Sequence, residues 1–254
     1  MLLSFDLEEF DIPEEYGQKL DKQTQLSVSN LGLKPLLALL SKYNVQATFF
    51  ITAYYAENHP ELVKEISLKH EIASHAYYHS TFKTEDLRNS KLKLEEISAQ
   101  EVIGFRFPRL RQVSKGELKK AGYLYDSSLN PTYLPGRYNH LNKPRTIFAE
   151  EEIIEIPTSV VPVIRFPLFW LSFKNLPLPI INLLSAYTLR KDHYLCLYFH
   201  PWEFADIRSY QLPGYIKNNS GNTMLSKMEK YLHFLKGKGD FISHKEYLKK
   251  SNWI

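Results

Sequence analysis

Short apolar runs that end in a titratable residue recur along this chain, separated by segments whose apolar residues fall at helical spacing. Leu2–Leu7 runs into Asp6, Glu8 and Glu9, and Glu71–Ser74 leads to His75. Ile103-Gly-Phe leads to Arg106, Tyr123–Tyr125 to Asp126, and Tyr194–Phe199 to His200. Val45–Ile51 is a further run of the same kind. Strands alternating with helices predict a mainly parallel sheet with both faces covered. Seven or eight such strands, in a chain of 254 residues, predict an α/β fold, most simply a (β/α) barrel, one domain over 1–254. In such barrels the C-terminal strand ends carry the active site, and five of the runs place Asp6, His75, Arg106, Asp126 and His200 there.

The helices are read from periodicity and punctuation. Leucines from Leu31 to Leu40 predict a first helix ending at Lys42, preceded by a loop over Pro13–Ser27. Pro60 opens a second, Thr84 caps a long amphipathic one, and Ser114-Lys-Gly-Glu117 opens a short one ending near Gly122. A last helix covers about Thr223–Lys238. Asn130–Arg145, rich in Pro, Asn, Gly and Tyr, reads as a long loop over the site face, and Ile153–Val163 as edge strand broken by prolines. Phe166–Leu189 is the most apolar stretch, read as a packed helix with an aromatic lead-in or as a patch meeting a membrane or a second subunit.

Composition narrows the functional classes. The charges, 32 basic and 28 acidic, are interspersed without a long block of one sign, which argues against a nucleic-acid surface. The single cysteine, Cys196, lies in an apolar run and reads as a buried thiol in a reducing compartment. The start of the chain has no basic segment followed by an apolar one, so a cytoplasmic location is expected. No uninterrupted apolar stretch is long enough to span a bilayer.

His75-Ala-Tyr-Tyr-His79 sets two imidazoles four residues apart, able on a helical turn to face one metal ion. No Glu follows the first His, so this is not the zinc-protease pattern HExxH. A third ligand can come from the acidic cluster. Alternation along a strand puts Asp6 and Glu8 on one face, which favours Glu8; a turn beginning after Leu7 would bring in Glu9 instead.

Taken in order, Ser-Phe-Asp6-Leu-Glu8-Glu9, Ala47-Thr-Phe-Phe50, Ser74-His75-Ala-Tyr-Tyr-His79, Gly104-Phe-Arg106-Phe-Pro108, Tyr125-Asp126-Ser-Ser and Leu197-Tyr-Phe-His200 resemble the polysaccharide deacetylases, the NodB-homology or carbohydrate esterase family 4 group. The resemblance covers residues 1 to about 205 and implies a distorted (β/α) barrel that hydrolyses an N-acetyl group from an amino sugar with a divalent metal. By that resemblance Asp6 is the general base, Glu8, His75 and His79 the metal ligands, and His200 the general acid. Arg106 orients Asp6, and Asp126 pairs with or positions that arginine. Zinc is the expected ion for two histidines and a carboxylate, with cobalt, nickel or manganese able to use the same ligands.

Three departures from the family pattern bear on the metal site and the substrate. Leu7 replaces the second of two adjacent aspartates, and Ala76 replaces a Ser or Thr between the histidines. Arg109, after Pro108, stands where many members have Tyr and would favour an anionic substrate. Trp202, beside the acid, is expected to stack on a sugar or to cap the barrel. By the resemblance the expected substrate is an N-acetylated sugar, in free or in lipid- or nucleotide-linked form, the lipid-linked option resting on the apolar 166–189 stretch. The alternatives are hydrolysis of another non-peptide C–N bond, such as a cyclic amide or ureide, and an inactive carbohydrate-binding barrel.

Overall fold

A computed structural model describes residues 1–254 throughout. The ten strands are β1 (Leu2–Leu7), β2 (Thr48–Ile51), β3 (Glu71–Ser74), β4 (Gly104–Phe105), β5 (Tyr125–Asp126), β6 (Tyr133–Leu134), β7 (Tyr138–Asn139), β8 (Phe148–Glu150), β9 (Ile153–Glu155) and β10 (Cys196–Phe199). The helices are α1 (Lys22–Lys42), α2 (Ala53–Asn58), α3 (Pro60–Ser67), α4 (Glu85–Ser98), α5 (Lys115–Ala121), α6 (Trp170–Asn175), α7 (Leu178–Asp192), α8 (Gly214–Lys217), α9 (Asn222–Lys236) and α10 (His244–Lys250).

Eight strands form one sheet in the order β10-β1-β2-β3-β4-β5-β9-β8. All its pairs are parallel except β8 with β9, whose antiparallel pairing ends the sheet, so the barrel is curled but not closed. The distorted barrel expected from the sequence is what the chain adopts. The loop expected over 130–145 carries a small hairpin, β6 with β7.

Strand alternation sorts side chains into two clusters. Leu3, Phe5, Leu7, Phe49 and Ile51 point out to the helices, in a cluster of 53 buried residues. Leu2, Phe50, Ala73, Tyr125, Ile154 and Cys196 point into the curl, in a cluster of 10. Tyr125 crosses the lumen because Gly104 faces it: a Cβ at 104 would lie 2.0 Å from the tyrosine ring. α10 plugs the N-terminal mouth, with Leu248 in the inner cluster.

The first helix begins earlier than the leucine period predicted. Asp21 caps it, accepting from the Thr24 N–H at 2.8 Å, and residues 22–30 continue it. Its inner face there carries Gln25 and Ser29, whose side chains are buried by hydrogen bonding: Ser29 Oγ donates to the Glu8 carbonyl at 2.6 Å. A helix face satisfied by polar contacts shows no apolar period. Phe166–Leu189 forms two helices rather than one, because Pro177 ends α6 and starts α7.

Candidate active site

Beyond the C-terminal ends of the strands lies a cleft of ≈ 280 Å³ lined by Asp6, Glu8, His75, His79, Tyr198 and His200, among others. Asp6 is the last inward residue of β1 and Glu8 the next in alternation, so one strand delivers both carboxylates. His75 directly follows β3, and the chain then turns at Ala76 with φ +62° to bring His79 back beside it.

Glu8, His75 and His79 are buried, and one ligand atom from each lies within 4.8 Å of the others. Glu8 Oε2 is 3.0 Å from both His75 Nε2 and His79 Nε2. The second ring nitrogens are anchored: His75 Nδ1 donates to the Arg106 carbonyl at 2.8 Å, and His79 Nδ1 meets Asp11 Oδ1 at 2.7 Å. That leaves both Nε2 atoms as lone-pair donors aimed at one point, the arrangement a divalent ion needs. Glu9 lies elsewhere, accepting from Thr52 Oγ1 at 2.7 Å and from the His79 N–H at 3.4 Å. The trio therefore uses Glu8.

Charge at this trio is strongly biased. Burial alone would raise Glu8, yet His79 and His75 hold its carboxyl well below the usual range. Burial alone would lower His79, yet Glu8 and Asp11 push it up to about 10. Two carboxylates on one imidazole hold a positive charge in a dry pocket, and a metal cation would take the proton's place.

Arg106 is fully buried, over the Phe50 ring at 4.0 Å. Its Nη1 donates to Asp6 Oδ1 at 2.7 Å and to Ser4 Oγ at 2.9 Å. Ser127 fills the rest of the fork, accepting from Nε at 3.0 Å and from Nη2 at 2.9 Å. The direct pairing of Asp126 with Arg106 is not formed. Tyr125 and Ser127 face the lumen, so Asp126 faces out, where it accepts from Lys115 Nζ at 2.6 Å and the Ser128 N–H at 3.0 Å. Lys115 also binds Glu155, making a buried strut beneath α5.

His200 follows β10, the strand beside β1, its ring stacked on Trp202 at 4.7 Å and edge-on to Trp170 at 5.2 Å. Trp202 is 2% exposed and donates from Nε1 to Glu8 Oε1 at 3.2 Å, so of its two expected roles it performs the packing one. Arg109 lines the cleft but is committed, donating to Glu15 at 2.6 Å and to both Asp11 oxygens at 3.2 Å. The free cation expected there is thus neutralised. Pro108 is buried and sets the turn that carries Arg109 at φ +59°. His140 stacks on Tyr138 and lines an outer groove with Arg111 and Arg137, not the inner cleft.

Sequence reasoning left out Asp11, Ser127 and Glu203. Asp11 stood in the opening acidic cluster and Glu203 three residues after His200, so proximity to assigned residues was the available signal.

A family model described as polysaccharide deacetylase matches residues 28–125. Residues 28–125 are thus a polysaccharide deacetylase segment of the NodB type. This family of carbohydrate deacetylases is generally metal-dependent, which the Glu8–His75–His79 trio fits. A second model, described as a domain of unknown function (DUF3473), matches residues 127–249. The sheet joins the two matched segments, since Tyr125 of β5 pairs with Ile154 of β9, and β1, which precedes both segments, pairs with β10. A search of curated protein sequences finds no match.

Solved structures share the fold. A probable polysaccharide deacetylase from Pseudomonas aeruginosa PAO1 aligns with TM-score 0.66 at 14% identity, over 96% of this chain and 88% of that one. PuuE allantoinase aligns with TM-score 0.63 at 13% identity, over 96% and 87%. A carbohydrate esterase family 4 pseudoenzyme from Bacillus anthracis aligns with TM-score 0.51 at 13% identity, over 95% and 62%. Active and inactive proteins thus share this barrel, and the side chains of the site must carry the functional argument.

Proposed function

We propose that this deacetylase removes the N-acetyl group of an amino sugar with a divalent ion held by Glu8, His75 and His79. The observation that carries the reading is one cleft lined together by the trio, Asp6 and His200. When bound, the metal polarises the acetyl carbonyl and acidifies water. Zinc suits two imidazoles and a carboxylate best.

The protein's own groups perform the proton transfers. Asp6, with Oδ1 held by Arg106, has Oδ2 unpartnered and takes a proton from the attacking water. Arg106 is locked by Ser4, Ser127 and Phe50, so it holds that carboxylate in one rotamer. His200 is held above its ordinary pKa against burial by Glu203 and the carboxylates of Glu8 and Asp6, which favours the imidazolium a general acid needs. It gives its Nε2 proton to the amine nitrogen as the C–N bond breaks, and acetate and the free amine leave. Trp170 and Trp202, packed on each other and on the imidazole, shield it from water during that transfer.

The proposal extends to a lipid-linked glycan precursor at the cytoplasmic membrane face. No helix is long and apolar enough to cross a membrane. Support comes from an exposed apolar stripe on α7, Ile180, Leu183 and Tyr187, and from Val163 and Ile164, exposed at 89% and 68%. Flotation with anionic liposomes checks this part, and absence of binding removes it. The main test is acetate release from a panel of N-acetyl sugars by metal-analysed protein. Ammonia released from ureides or cyclic amides without acetate would move the reading to another C–N bond. Neither product would leave a sugar-binding barrel.

A further inference from the structure

A buried acid and a buried lysine behind His200 have no part in the family assignment. β10 ends in His200-Pro201-Trp202-Glu203, and the 3-10 turn over Pro201–Phe204 folds Glu203 back on the histidine. Gly32 of α1 lets that turn seat closely: a Cβ there would lie 1.9 Å from the Pro201 carbonyl oxygen. Glu203 Oε1 accepts from the His200 backbone N–H at 2.9 Å and lies 3.2 Å from His200 Nδ1. Its Oε2 has no hydrogen-bond partner, and Lys174 Nζ stands 3.5 Å away. Glu203 and Lys174 are both fully buried, and Lys174 also donates to the Ile216 carbonyl at 2.9 Å.

A buried ion pair adds little stability over apolar residues of the same volume, because desolvation offsets the attraction. One with an unfilled carboxylate lone pair is worse still. The pair is accounted for if its negative end is spent on the imidazole, as a buried carboxylate behind a catalytic histidine fixes ring and tautomer. We propose that Glu203 is the positioning residue of His200, holding the Nδ1–H tautomer so that Nε2 faces the cleft, with Lys174 fixing the Glu203 carboxylate from behind. This inference rests on the deacetylase reading for the step it serves, but not for the tautomer it predicts.

The effect falls only where a leaving group must be protonated. An amine needs that proton; the phenolate of an aryl acetate does not. Metal-loaded full-length Glu203→Ala should lose about 10²-fold in kcat on an N-acetylglucosamine oligomer with KM within about threefold. Its hydrolysis of 4-nitrophenyl acetate should change by less than about threefold. Glu203→Gln keeps an acceptor for Nδ1–H without the charge, and should lose about tenfold on the amide alone. Equal losses on both substrates, or no loss on the amide, overturn the proposal. ¹⁵N–¹H NMR of His200 in the wild-type protein decides the tautomer without any substrate. A slowly exchanging Nδ1–H is expected, and an unprotonated Nδ1 overturns the proposal even if the variants do not fold. No acetate from the wild type on any sugar would sink the deacetylase reading and leave the NMR result standing.

Discussion

The lumen of this barrel holds two buried acid–histidine clusters, one at each end, and they behave oppositely. At the plugged end Glu71 accepts from Thr48 Oγ1 and Tyr125 OH, each at 2.8 Å, and from the Lys245 N–H at 2.9 Å. His244 sits on Thr48 Oγ1 at 2.9 Å and near Cys196 Sγ at 3.4 Å. Burial raises Glu71 and drives His244 well below its ordinary pKa, so both tend to the neutral form. At the open end Glu8 is lowered and His79 raised, so both tend to the charged form. Both pairs are buried. The difference is pairing: Glu8 and two histidines face one another with Asp11 behind, whereas Glu71 meets only hydroxyls and backbone N–H groups. A buried acid beside a buried histidine is therefore no sign of a site. Mutual charge around a point open to a cleft is.

The contrast is broken most directly at the trio. His75→Ala or Glu8→Gln should abolish bound metal in elemental analysis and lower deacetylation by about 10³-fold or more. His244→Gln at the other end should leave metal content unchanged; loss of metal there would erase the distinction. Asp6→Asn should keep the metal and lose about 10²–10⁴-fold in kcat, measured as acetate release. Full activity would refute Asp6 as base. Asp11→Ala frees the His79 ring, and metal affinity from competition with a chelator should fall about 10–100-fold.

Smaller effects belong to the plugged end. Glu71→Gln should stay within about 1 kcal/mol of wild type in denaturant unfolding, because the carboxyl there already tends to be neutral. A loss of several kcal/mol would mean that Glu71 is used as a charge. The histidine gives a pH test with a definite sign. Its folded pKa lies well below the ordinary 6.5, so its contribution is intact above pH 6.5 and is lost as pH falls. Unfolding midpoints between pH 7 and 5 should fall more steeply for wild type than for His244→Gln. Equal slopes would show that another group governs acid lability.

Much of this was legible from residue order. Strand alternation alone put Asp6 and Glu8 on one face, and the barrel's polarity put His75, Arg106 and His200 at one end. The same alternation, applied to Tyr125 and Ser127, turns Asp126 away from Arg106, but strand parity in a two-residue strand cannot be set without its neighbours. The early turns of α1 were hidden because Gln25 and Ser29 bury themselves through hydrogen bonds. Arg109 read as a free cation because Glu15 and Asp11, which neutralise it, lie 94 and 98 residues away.

The sequence by itself determined the barrel, the end at which chemistry sits and the residue types there. These depend on local periodicity and on chirality, which act over a few residues. The tertiary structure alone decided that Glu8 rather than Glu9 joins the histidines, that Asp126 and Arg109 are neutralised, and that Glu203 stands behind His200 with Lys174. Charge pairing in a dry interior depends on separations of about 3 Å between groups that the chain brings together only on folding.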